Sequence, residues 1–202
     1  WGGAMALRRE LFRTCKIEDR WADTLSDDFT ISQAVHEHGL SIRFQPQCLS
    51  FSHEDCTFNQ LLNWSARQLS ITRIYHPSLW KMAFLWQLLF SSTVWGGALV
   101  ILWHLWTKAL VLNGRHWALA FTVVAVYVLS CVKGWIRIRA LLTLFPHHRP
   151  ALQKSLVAYV CWGPLASLVS LAGLFRSLAG REIRWRGIRY RMVSPEKTVV
   201  LK

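Results

Sequence analysis

A chain of 202 residues with a formal net charge of +13 is long enough for a single domain, but its charge is divided too sharply for a uniform one. Residues 1–55 carry 6 Lys/Arg against 9 Asp/Glu, whereas residues 56–202 carry 18 against 2, with no acid between Asp55 and Glu182. The basic excess flanks long apolar runs rich in Trp, as in membrane proteins, so composition argues against a nucleic-acid partner.

The chain starts at Trp1 without an initiator Met or a signal peptide, and the expectation is the C-terminal part of a longer protein. Trp1 to Phe12, with Gly2 and Gly3 near its start, begins extended and becomes a short helix. Paired glycines admit a ligand close to the backbone, and an ordinary strand-to-helix turn explains them equally. Ile17 to Thr24 reads as a solvated polar loop. Ser26 or Asp27 then caps a helix whose apolar stripe is Ile31, Ala34 and Val35 and whose end is Gly39. Leu40, Ile42 and Phe44 alternate with polar residues up to Pro46, a half-buried strand pattern. Asp27 and Asp28 would then sit at a strand-to-helix junction, on the rim of an α/β sheet. Capping and the helix dipole account for one of these acids without any catalysis. Five cysteines at irregular spacing imply no disulfide framework, and Cys48, His53 and Cys56 lack the fourth ligand of a structural zinc site.

Thr57 marks the next helix, from about Phe58 to Tyr75, ended before Pro77. It is basic, amphipathic and free of acids, which suits a membrane surface; a plain packing helix is the other reading. Met82 to Trp106 exceeds the ~20 residues needed to cross hydrocarbon. Trp117 to Val132, with its flanks, makes a second span around the loop Thr107–His116. Lys133 to Lys154 brings five cations and a surface turn at Pro146–Pro150. Ser155 to Phe175 is interrupted by Gly163-Pro164. Two complete spans return the preceding cations to the cytoplasm, and a third would carry the Arg-rich tail outside. Residues 155–175 are therefore expected to re-enter or to lie along the interface, with three full spans as the alternative. Arg184 to Arg191 alternates cation and apolar residue, a strand pattern that would lie near headgroups or pack back on the soluble part.

An acidic pair at a helix mouth, then Gln60-x-x-x-Trp64 ahead of hydrophobic spans, then Trp185-Arg186-Gly187-x-x-Tyr190, resembles the back half of family 2-type glycosyltransferases, most closely the ceramide glucosyltransferase-like group. The resemblance implies an α/β fold class: the C-terminal part of a GT-A-like domain at residues 1–56, followed by an α-helical transmembrane region. An interfacial helix at 57–80, a membrane region at 81–180 and a basic cytoplasmic tail at 181–202 complete the expected organisation. It implies a nucleotide-diphosphate sugar donor, a membrane lipid acceptor and transfer with inversion at the cytoplasmic face. Asp28 would be the catalytic base, with Asp27, Gly2, Gly3, Gln60, Asn63, Trp64 and Arg67 binding substrate. Mg²⁺ or Mn²⁺ is expected, with its ligands mainly upstream, so the chain alone would be inactive. Asn63 stands where the family pattern has Arg; Arg67, one turn on, is the expected substitute cation. A non-enzymatic membrane scaffold or transporter subunit, or a family member of altered activity, remains as an alternative.

Overall fold

The computed structural model describes residues 4–51, 55–107 and 114–201. The chain divides into two compact units, one of Trp1–Lys81 with Gly173–Lys202 and one of Met82–Ala172.

In the first unit α1 (Arg9–Thr14) is followed by α2 (Ile17–Trp21), α3 (Asp27–Glu37) and α4 (Phe58–Tyr75). Cys15, Ile17 and Ala34 form a small buried core, with Leu7, Phe12 and Ile31 packed against it. The segment expected as a solvated loop is thus helical through Trp21. Ile17 is completely buried, and Trp21 meets Phe12 edge-on at 5.7 Å, so this stretch carries core and not merely surface. The stop at Gly39 follows the sequence. With φ at 69°, Gly39 donates its N–H to His36 O (2.9 Å) while Leu40 N–H reaches Val35 O (3.1 Å), the paired bonds of a Schellman closure.

The strand expected at Leu40–Phe44 does not form. These residues are outside any strand and helix, and Leu40, Ile42 and Phe44 are 38%, 52% and 73% exposed. An alternating pattern supplies a face, but a strand also needs a neighbour to receive its backbone hydrogen bonds. Ahead of α3, residues 22–26 are turn and irregular backbone, so Asp27 and Asp28 follow a turn and not a strand. Among the described residues the fold is mainly helical, and its sheet is antiparallel.

That sheet is a meander of β1 (Glu182–Trp185), β2 (Ile188–Ser194) and β3 (Lys197–Leu201). The stretch Arg184–Arg191, expected as one strand pattern, is instead the end of β1 and the start of β2: Trp185 pairs with Ile188 across Arg186-Gly187, whose φ values of 50° and 85° are both positive. Positive φ at both central residues is what a type I′ hairpin requires, and it explains the glycine after Trp185-Arg186. Ile183 and Met192 turn one face of the sheet inward, and Thr198 N–H donates to Asp23 O at 2.7 Å. The basic tail therefore packs on the first unit. Gly173 lies against Ser65, Ala66 and Leu69 of α4, where an added Cβ would stand 3.1 Å from the Leu69 side chain.

The second unit is helical. α5 (Pro77–Ser91), a π-helical turn at Ser92–Gly96 and α6 (Gly97–Trp106) make one apolar stretch of 30 residues, and α7 (Gly114–Leu144) has 31; each is long and apolar enough to cross a membrane. α7 runs well past Val132, so the cations from Lys133 to Arg139 are helical. Pro146–His148 is a single 3₁₀ turn before α8 (Arg149–Lys154) and α9 (Leu156–Cys161). α10 (Gly163–Ser177) begins after a break at Trp162, where Pro164 loses no helical bond. Polar groups in this unit bond to one another. Gln87 donates to Ser167 O (3.1 Å) and Ser91 Oγ (3.2 Å), while Trp95 Nε1 and Ser167 Oγ both donate to Pro164 O. Where water is excluded, such internal pairing is required.

Candidate active site

The mouth of α3 is built from local chemistry. Ser26 is the N-cap, in extended backbone, and its Oγ accepts the Phe29 N–H at 3.4 Å. Asp28 Oδ1 takes the same N–H at 2.9 Å and also accepts the Ser26 hydroxyl, while Asp27 Oδ1 accepts Asp28 N–H at 3.0 Å. Thr30 and Ser32 fold their hydroxyls back onto Ser26 O and Asp28 O, each at 2.7 Å. Both carboxylates thus lie at the positive end of the helix dipole, where their charge is favoured. Asp28 is half-buried and Asp27 exposed. A half-buried carboxylate oriented by a hydroxyl donor can serve both as cap and as proton acceptor.

Tyr75 closes the turn before the acids. Its hydroxyl oxygen accepts Leu25 N–H (2.8 Å) and Ser26 N–H (3.2 Å), and its ring stacks on Phe29 with centroids 5.8 Å apart. Sequence reading placed Tyr75 only as the end of a helix. The one available signal was a Tyr in the last position before His76-Pro77.

α4 presents Gln60, Asn63, Trp64 and Arg67 along one stripe, at i, i+3, i+4 and i+7. Gln60 has a local task. Its Oε1 accepts Thr57 N–H at 2.7 Å and the Thr57 hydroxyl at 3.1 Å, while Thr57 Oγ1 accepts Gln60 N–H at 3.3 Å, a capping box. Asn63 Oδ1 accepts from Arg176 Nη1 at 3.4 Å. The Arg67 guanidinium lies 5.6 Å above the Trp185 ring, where partial burial holds its pKa below the ordinary value. Arg186 approaches the same ring at 5.9 Å. Trp64 is 44% exposed. Arg67, on the stripe, and Arg176, on α10, thus stand near Asn63; Arg176 had no signal in the sequence beyond being the first of several arginines after Phe175.

Tyr75 is twelve residues beyond Asn63, about 18 Å along a helix rising ~1.5 Å per residue. Gly2 and Gly3 lie outside the described residues, as does His53. A cavity of about 610 Å³ is lined by residues that include Asp19, Arg20, Thr30, Gln33 and Glu37, on the side of α3 away from Asp28. There Arg20 bonds Glu37 at 2.7 Å and, with Gln33, holds that carboxyl below the usual range. Among the described residues no group of three or more His, Cys, Asp and Glu side chains converges to hold a metal ion.

The family model described as Glycosyl transferase family 21 matches residues 1–198. Comparison with curated proteins and with solved structures gave no match.

Proposed function

The chain belongs to glycosyl transferase family 21, and from that premise we propose that it serves a membrane-bound, inverting hexosyltransferase. The donor is a nucleotide-diphosphate sugar, with glucose the favoured sugar, and the acceptor is the hydroxyl of a ceramide-like membrane lipid. Asp28 is the general base. Its carboxylate takes the acceptor proton as the alcohol oxygen bonds to the anomeric carbon, and the bond from that carbon to the diphosphate breaks with its electrons leaving on phosphate. The observation that carries this reading is the half-buried carboxylate at the mouth of α3, oriented by Ser26. Asp27 supports the turn, and the stripe from Gln60 to Arg67 faces the donor, with Trp64 offering its flat face to sugar or lipid. A divalent cation would stabilise the departing diphosphate; its ligands are assigned outside the described residues, as is any contribution of Gly2 and Gly3.

Two helices long and apolar enough to cross a bilayer support a multi-pass membrane protein, and the Lys and Arg that follow this pair favour a catalytic unit on the cytoplasmic side. Residues 155–175, broken at Trp162-Gly163, complete the membrane region without a full third span. The test is Asp28→Asn in the intact natural protein, incubated with labelled nucleotide sugars and membrane lipids. Labelled glycolipid is expected to form about 10²- to 10⁴-fold more slowly. Undiminished product would overturn the reading.

A further inference from the structure

Two consecutive backbone N–H groups just ahead of α3, those of Leu25 and Ser26, converge on a single side-chain oxygen some fifty positions along the chain. Groups at a helix entrance lack intrahelical partners and are ordinarily satisfied by water or by a neighbouring side chain. Here the hydroxyl of Tyr75 satisfies both, and its ring is held against Phe29 at an interplanar angle of 22°. Ser26, whose backbone is fixed in this way, then gives its own hydroxyl proton to Asp28 Oδ1. We infer that Tyr75 is the positioning residue of Asp28, acting through the Ser26 backbone and hydroxyl to set where the carboxylate meets the acceptor. This inference rests on the reading of Asp28 as the base.

The residue type fits that role. A phenylalanine would keep the stack on Phe29 and forfeit the acceptor, leaving two N–H groups in a part-buried turn to find water. The placement also fits. Tyr75 is the last residue of α4, the helix that carries Gln60, Asn63, Trp64 and Arg67, so the base takes its reference from the same rigid element as the donor-side stripe. Pre-organised groups of this kind act on turnover more than on binding. A displacement of about 1 Å at the reacting group costs on the order of 100-fold in rate.

The experiment compares Tyr75→Phe, Ser26→Ala, the double variant and Asp28→Asn in the intact natural protein, with thermal unfolding recorded for each. Tyr75→Phe is expected to lower kcat about 10- to 100-fold, with donor KM within about twofold of the parent. The double variant is expected to lose little more than the worse single one, since both act on one line of hydrogen bonds. Full turnover in Tyr75→Phe beside an inactive Asp28→Asn overturns the inference and spares the base; full turnover in Asp28→Asn removes the base itself. A Tyr75→Phe loss that only tracks lowered thermal stability, or that multiplies with Ser26→Ala, shows a helix staple and overturns the inference as well. Should Tyr75→Phe fail to accumulate, fluorinated tyrosines at position 75 keep the shape with a poorer acceptor oxygen. A graded fall in kcat then supports positioning, and an unchanged kcat refutes it.

Discussion

Arg67 shows at the residue scale how one side chain divides its work. Its guanidinium rests on the Trp185 face and is partly buried, yet it stays charged at neutral pH because no realistic shift discharges an arginine there. We assign it to the donor diphosphate in place of the arginine missing at Asn63, with Arg176, bonded to Asn63, alongside it. Arg67→Ala should raise the donor KM several-fold while kcat changes less, measured by initial rates over donor concentration. Arg67→Lys should recover little, since an ammonium lacks the planar face that lies on Trp185 and the fork that grips phosphate oxygens. Donor binding unaltered in Arg67→Ala would remove the assignment. The i, i+4 spacing of Asn63 and Arg67 was legible beforehand, but the approach of Arg67 to the Trp185 ring was not. That contact joins residues more than a hundred positions apart.

Helix boundaries were the most legible features at the element scale, because the groups that set them are neighbours in sequence. Thr57 caps α4 and Pro77 follows its end; Ser26 caps α3 and Gly39 closes it. Gln60 belongs to this local chemistry. Thr57→Ala should cost about 1 kcal/mol of stability, read as a lower unfolding midpoint and faster amide exchange at the start of α4. Gln60→Glu should keep both, since glutamate completes a capping box equally well; a lower midpoint there would mean the box is not what holds this end. Elements that need a distant partner fared differently. Leu40–Phe44 has the alternation of a strand and stays unpaired among the described residues, whereas β1 and β2 pair because a two-residue turn brings the second strand back at once. Ile17–Trp21 went unrecognised as a helix because one buried isoleucine is too short an apolar signal.

Charge and hydropathy act at the scale of the whole molecule, and both are properties of the chain before it folds. Two helices of 30 and 31 residues, about 45 Å long at ~1.5 Å per residue, are more than long enough for the ~30 Å hydrocarbon core, and the Arg-rich segment follows one broken at Trp162-Gly163. With two full spans, a tag after Lys202 should be accessible from the same side of sealed membranes as the catalytic unit; protection of that tag, or exposure on the opposite face, would establish a third span. By itself, then, the order of residues determined what depends on near neighbours or on summed composition: caps and stops, the presence of two long apolar helices, the acidic mouth of α3. Only the tertiary structure decided which distant groups meet: Tyr75 with Leu25 and Ser26, Arg176 with Asn63, Arg67 with Trp185. A hydrogen bond within four residues is settled by local backbone geometry, whereas one across fifty or a hundred exists only when packed elements carry both partners to the same place.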